Sequence, residues 1–161
     1  MIITFFGHSR IAGDSRAIHD KTTEIMQKLL CSEPESEFYC GHRGQFDILC
    51  ESCLDMLRPS FNKFKKIYIT PYYDLQWQKN QLNYISKDFD EIIFPPPCES
   101  CPPKYAWSRR NRWMVDNADL IISCVKYSWG GAAATIGYAR RRRKNIISLL
   151  LYNAYILKRR G

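Results

Sequence analysis

SRRNRWMVDNADLIISCVKYSWGGAAATIGYA, Ser108 to Ala139, is the stretch whose reading decides the fold. It divides into three parts. Arg109, Arg110 and Arg112 belong to a helix ending near Asn117, and Leu120-Ile121-Ile122-Ser123-Cys124 is an apolar strand. Gly130-Gly131 then opens a helix of small residues through Ala132, Ala133, Ala134 and Thr135. A strand that feeds a glycine turn and a helix start leaves backbone N–H groups and the positive helix end facing one point, which suits an anion. Arginines of the preceding helix bring guanidinium groups able to grip phosphate in bidentate fashion. The stretch therefore predicts the floor of a nucleotide-type pocket.

Working outward, short apolar runs alternate with helical periodicity. Ile2–Phe6 is a strand ending in Gly7-His8-Ser9-Arg10. Asp14 or Ser15 caps a helix with Ile18, Thr22, Ile25, Met26, Leu29 and Leu30 on one stripe. Phe38-Tyr39-Cys40 is the next strand and Gly41-His42-Arg43-Gly44 the next turn, followed by a helix with Phe46, Leu49, Cys50, Cys53, Leu54 and Leu57 inward, stopped at Pro59. Lys66–Thr70 and Phe89–Phe94 read as strands, 75–85 as a polar helix, and Pro95–Pro103 as an irregular loop. Ile146–Leu151 is a last strand. This alternation predicts an α/β, Rossmann-like, doubly wound and mostly parallel sheet with helices on both faces, as one domain over 1–151 with a short basic tail over 152–161.

Composition narrows the partners. A hydrophobic content of 45% in 161 residues supports one packed core. The net charge of +8 suits an anionic partner. Much of the excess lies in Arg140-Arg141-Arg142-Arg143-Lys144 and Lys158-Arg159-Arg160. These runs read first as solvated surface, because no aromatic residues interleave with them. The apolar opening is short and lacks a basic flank, and no run approaches the roughly 20 residues that span a bilayer. A cytoplasmic protein with reduced thiols and no membrane partner is expected, and seven cysteines, an odd count, argue against a disulfide framework. Cys50/Cys53 and Cys98/Cys101 form two Cys-x-x-Cys pairs, formally a zinc pattern, yet the first pair falls on an apolar helix stripe. No metal and no cofactor is expected.

On a parallel sheet, ligands sit beyond the carboxyl ends of the strands. That rule groups Gly7, His8, Ser9 and Arg10 with Gly41, Arg43, Gly44 and Asp47, with Tyr72, Tyr73 and Asp74, and with Arg110, Trp129, Gly130, Gly131, Ala132 and Thr135. His8 is either a phosphate contact or proton donor, or a polar turn residue. Asp47 either accepts from a ribose hydroxyl or caps its helix. Tyr72, Tyr73 and Trp129 either stack on a base or pack.

The order of these motifs resembles the SLOG superfamily of Rossmann-like proteins, which includes the LONELY GUY phosphoribohydrolases, DprA-type DNA-binding proteins and small bacterial and phage members. Carrying the likeness are Phe6-Gly7-His8-Ser9-Arg10, Gly41-x-x-Gly44-x-Phe46-Asp47, Arg110 with Met114 and Asp119, and Gly130-Gly131 with Thr135. In the LONELY GUY enzymes a catalytic arginine stands four residues before a methionine and nine before the aspartate of an Ala-Asp pair, as Arg110 does here. Their glycine motif ends in a catalytic glutamate, whereas this chain has Tyr138 there and no Asp or Glu beyond Leu120. The resemblance thus implies binding, by sensing or sequestering, of a nucleotide-derived signal such as an ADP-ribose-like or cyclic nucleotide, with a place in phage–host defence and pairing as a homodimer. A phosphoribohydrolase-like N-glycosidase, with Arg110 and Asp47 as its catalytic candidates, and DprA-like nucleic-acid binding are the alternatives. Asp74 and Asp116 are further acids expected near the pocket.

Overall fold

The computed structural model describes residues 1–72 and 87–150. Six strands form one sheet: β1 (Ile2–Gly7), β2 (Glu37–Cys40), β3 (Lys65–Ile69), β4 (Glu91–Ile93), β5 (Leu120–Cys124) and β6 (Asn145–Ser148). Their order is β4-β3-β2-β1-β5-β6, and every pairing is parallel. The chain runs outward from β1 to β4, then returns to place β5 on the other side of β1. The switch point of the sheet therefore lies between β1 and β5, with Phe6 opposite Ser123 and Gly7 opposite Cys124.

Both faces of the sheet are covered, which is why β1 and β5 read as continuous apolar runs. On one face Ile3, Phe5, Phe38, Cys40 and Ile122 meet α1 (Ser15–Ser32) through Ile18, Met26 and Leu30, and α2 (Gln45–Leu57) through Phe46, Cys50, Cys53 and Leu54. On the other, Phe6, Tyr39, Ile67, Ile69 and Ile121 meet Met114, Val115 and Ala118 of the α4 layer (Ala106–Asn117) and Ile136 and Ala139 of α5 (Gly131–Arg141). Asp14 caps α1, its carboxylate accepting from the Arg16 and Ala17 amides. The arginine helix, the Leu120 strand and the glycine-opened helix all lie where the sequence puts them.

Three segments differ from expectation. Pro95–Pro103 is not wholly irregular: a one-turn helix α3 (Pro96–Glu99) and a 3-10 turn (Pro103–Tyr105) occupy it and the residues after it. Proline stops a helix in its interior but suits its first position, where the missing N–H costs nothing. The last strand ends at Ser148, and Leu149 and Leu150 are helical. The fourth strand keeps only Glu91–Ile93 of the expected Phe89–Phe94, Phe89 being buried in the core beside it. The polar helix over 75–85, Tyr73, Asp74, and the basic tail over 152–161 lie outside the described residues. No helix among the described residues is long and apolar enough to cross a membrane.

Candidate functional site

Beyond the carboxyl ends of β1, β2 and β5 lies a cavity of about 380 Å³. Its floor is the start of α5, where Gly130 holds φ 90 and ψ 175 and no side chain caps the helix. Helix geometry leaves the amides of Gly131, Ala132 and Ala133 without intrahelical acceptors. A Cβ added to Gly130 or Gly131 would meet none of the described residues within 4 Å. The first turn of α5 carries no acidic residue, which leaves the positive helix end uncompensated.

Arg110 enters from α4 and is only 4% exposed. Its Nη1 donates to the carbonyls of Gly41 (2.7 Å) and Ile69 (3.3 Å), bracketing the ends of β2 and β3. Its Nε and Nη2 donate to Asn111 Oδ1 at 3.1 and 2.9 Å. Four of the five guanidinium N–H groups thus have protein acceptors among the described residues, and one on Nη2 does not. The bidentate grip expected of this arginine is therefore corrected: strand carbonyls sixty-nine and forty-one residues away in sequence occupy the rest of the fork. Asn111 Nδ2 donates to Thr135 Oγ1 (3.3 Å), and Thr135 Oγ1 donates to the Gly131 carbonyl (2.8 Å). This chain of bonds fixes Arg110 relative to the α5 floor. Thr135 acts there from below and does not line the cavity.

Asp47 lies in the first turn of α2, 8% exposed, and is the one carboxylate among the described residues that line the cavity. Its Oδ2 accepts from the Arg43 amide at 3.0 Å. Burial pushes its carboxyl up to about 7, against the opposing pull of Arg110 and of the Arg43 amide. Asp47 thus accepts from an amide just ahead of α2, whose N-cap residue Gly44 has no side-chain cap, and it also lines the cavity. Gly41 stands between Asp47 and Arg110, and a Cβ there would lie 2.8 Å from Asp47 Oδ2 and 3.0 Å from Arg110 Nη2. One turn further along α2, Glu51 is 7% exposed, pairs its Oε2 with His42 Nδ1 at 2.8 Å, and leaves Oε1 buried without a partner among the described residues.

The remaining candidates divide. Gly7, Ser9 and His8 line the cavity, but each also has a packing duty. Gly7 makes room for the Phe46 ring, 2.5 Å from where its Cβ would be. The Ser9 carbonyl accepts from the Gln45 amide. His8 Nε2 accepts from the Lys126 and Tyr127 amides at 3.1 and 3.0 Å, so its neutral ring carries the proton on Nδ1. The histidine thereby ties the β5–α5 loop to the β1–α1 turn through Nε2. Arg43, Trp129 and Ala132 also line the cavity, whereas Arg10, Gly44 and Tyr72 do not. Gly44 holds φ 91, and Ser9 Cα stands 2.9 Å from where its Cβ would be; Tyr72 packs edge-on against Trp107 at 5.6 Å.

Sequence reasoning missed Trp107. Its ring lies under the Arg43 guanidinium (3.9 Å) and near that of Arg110 (4.7 Å), on the cavity wall. Trp129 is 69% exposed and stacks on Tyr127 at 5.3 Å. Tyr138, in the place of the enzymes' glutamate, donates to the Asp116 carboxylate at 2.9 Å, and neither residue lines the cavity. Asp116 also accepts from Arg142 Nε, and Lys144 Nζ caps the carbonyls of Asp116 and Ala118, so part of the basic run closes the end of α4. Among the described residues no three His, Cys, Asp or Glu side chains gather as a metal site. Cys50 and Cys53 lie in the core and the Cys98 thiol contacts the Ala106 carbonyl, so the two Cys-x-x-Cys pairs do not meet.

No protein-family model matches the chain. It is 22% identical over 140 residues, 77% of this chain and 81% of the relative, to the uncharacterized SPbeta prophage-derived protein YoqJ of Bacillus subtilis strain 168. Among solved structures it is similar to DNA processing protein A of Streptococcus pneumoniae, with TM-score 0.60 and 16% identity over 91% of this chain and 49% of that one. It is also similar to the Helicobacter pylori DNA processing protein A, described with a single-stranded DNA binding mode, at TM-score 0.59 and 14% identity, over 92% of this chain and 64% of that one. The chain thus spans between about half and two thirds of these two proteins. The molybdenum cofactor binding protein of Rippkaea orientalis gives TM-score 0.56 at 16% identity, over 98% and 82% of the two chains. The six-stranded parallel sheet is accordingly a DprA-like, Rossmann-type fold.

Proposed function

We propose that the protein binds a nucleotide-derived small molecule, holding its phosphate on the α5 floor without cleaving it. The observation that carries this is the uncapped, acid-free and sterically open N-terminus of α5 facing a closed-in arginine across one cavity. Three amides and one guanidinium N–H supply donors for an anion, and an indole wall at Trp107 supplies a stacking surface. Holding rather than hydrolysis is supported by Tyr138, whose hydroxyl is turned to Asp116, away from the cavity. The ligand class is that of a signalling nucleotide, with sensing or sequestering in phage–host defence as its setting. A phage-derived relative is consistent with that setting. Pairing of two copies belongs to the same proposal, and light scattering measures it.

The test is to mix the protein with AMP, ADP-ribose and NAD and follow melting temperature and free base together. A shift of several degrees without base release is the expected result. Base release abolished in Asp47→Ala would replace the binding reading with N-glycosidic hydrolysis.

One observation favours a second reading. Three aromatic residues carry cations: Lys126 over the exposed Tyr127, Lys104 over the exposed Tyr105, and Arg43 over Trp107 on the cavity wall. Aromatic platforms interleaved with positive charge suit single-stranded nucleic acid. Steep salt dependence of oligonucleotide binding, reduced by Trp129→Ala, would support it, and salt-insensitive binding of mononucleotides alone would exclude it.

A further inference from the structure

Two indoles line the cavity, and they differ in what already covers their rings. The Trp107 ring, on α4, lies 3.9 Å under the Arg43 guanidinium and 4.7 Å from that of Arg110, with Tyr72 edge-on at 5.6 Å. Trp129, in the β5–α5 loop, is 69% exposed and packs into neither core cluster. One of its faces is stacked on Tyr127, with ring centroids 5.3 Å apart and planes 20° from parallel. An indole that exposed, with one face taken, presents the other.

The ring is also held in place. Tyr127 lies tilted against His8 at 5.2 Å, and His8 stands 6.4 Å from the Trp129 ring. His8 Nε2 in turn accepts from the Lys126 and Tyr127 amides. Three rings from two turns thus support one another beside the cavity. A stacking surface fixed before its partner arrives loses less freedom on binding. Chain position sets what lies next to it: Trp129 directly precedes Gly130-Gly131, where α5 begins, and all three residues line the cavity. A flat ring joined by a short polar link to an anion suits the indole and the helix start together. A nucleotide is built in that order, as base, sugar and phosphate, whereas a sugar phosphate leaves the indole bare.

We propose that Trp129 is the base platform of the site, its open face stacking on the nucleobase of a nucleotide whose phosphate rests at the start of α5. This rests on the nucleotide reading above and selects the indole that holds the base. The Trp107 wall, whose ring already carries the Arg43 guanidinium, is the rival surface.

Calorimetric titration with AMP and ribose 5-phosphate tests this on the full chain and on Trp129→Ala, Trp129→Leu and Trp129→Phe. The parent is expected to bind AMP about tenfold or more tighter than ribose 5-phosphate, the gain from one stacked base. Trp129→Ala and Trp129→Leu are expected to lose that gain, with affinity for ribose 5-phosphate unchanged. Trp129→Phe restores an aromatic face and is expected to recover most of it. Leucine keeps apolar bulk without the ring, so the Leu and Phe variants separate stacking from burial, and they decide between them should the alanine variant fail to fold. If the variants all keep the parent's preference for AMP, the base lies on another surface and the proposal falls while the nucleotide reading stands. If AMP and ribose 5-phosphate bind the parent equally, no base is held and the proposal falls with only the phosphate floor remaining. If neither ligand binds the parent, both readings fall.

Discussion

Two helices of this protein begin with the same backbone device and use it oppositely. Gly44 opens α2 at φ 91 and ψ 167, and Gly130 opens α5 at φ 90 and ψ 175. That region is open almost only to glycine. At α2 the device is closed. Ser9 packs over Gly44, its carbonyl takes the Gln45 amide, and the acidic residue Asp47 stands in the first turn. At α5 none of the described residues comes within 4 Å of where the glycines' Cβ atoms would be, and no acid lies in the first turn. Identical local geometry is therefore structural at one end of the cavity and available to a ligand at the other. What decides is the surrounding chain, since a glycine turn states only that the backbone bends.

Four substitutions break or sharpen that contrast. The largest concerns Asp47, the acid that completes α2. Its folded carboxyl sits near 7, above the ordinary 3.8, so the native state holds a proton that the unfolded chain releases. A raised folded value means stability that is full below about 4 and lost as pH rises to about 7. Asp47→Asn removes that loss. The unliganded variant should gain on the parent between pH 4 and 8 by on the order of 4 kcal/mol, measured by denaturant unfolding at several pH values. His42, raised by its bond to Glu51, loses stability in the same direction and is common to both proteins. A parallel pair of pH profiles would contradict the burial argument.

Next come the glycines themselves. Gly44→Ala meets both the backbone strain and the Ser9 Cα, and should cost about 3 kcal/mol. Gly130→Ala meets strain alone, and should cost about 1–2 kcal/mol. Equal losses in urea unfolding would show that the space above Gly130 is not open. The smallest effect on stability comes from Ala132→Asp, which gives α5 the first-turn acid that α2 already has. Melting should rise by the equivalent of about 0.5 kcal/mol, since the charge opposes the helix dipole. Affinity for AMP should meanwhile fall at least tenfold by titration. A variant that binds AMP normally would move the anion site off α5.

Much of this architecture was legible from residue order. Short continuous apolar runs, period-3.6 patterning, the Asp14 cap and the glycine turns are local signals, and they located β1, α1, β2, α2, α4, β5 and α5. The errors fell where an outcome depends on distant chain. Ile146–Leu151 has the length and composition of a strand, but its ladder with β5 ends at Ser148. The prolines of 95–103 signal a break without saying that two of them begin helical turns. At the site, the spacing shared with the resembled family singled out Arg110, which is buried at the cavity, yet could not show that the Gly41 and Ile69 carbonyls and the Asn111 side chain consume most of its donors. Trp107 carries no sequence signal beyond being aromatic, and becomes a wall only because the 41–44 turn brings Arg43 over it.

The placement of the cysteines has a practical consequence. All seven are free, and burial pushes the thiols of Cys40, Cys50, Cys53, Cys98 and Cys124 up, those of Cys53 and Cys124 to about 11. Only the thiolate attacks an alkylating reagent, so these positions are slow on both counts of access and ionisation. Cys31 is exposed and Cys101 partly so. The folded chain therefore contains two fast-labelling thiols and five silent ones. Timed alkylation read by mass spectrometry becomes an intrinsic clock of native-state opening, with Cys50 and Cys53 timing the layer of α1 and α2, and Cys98 the packing beneath α4.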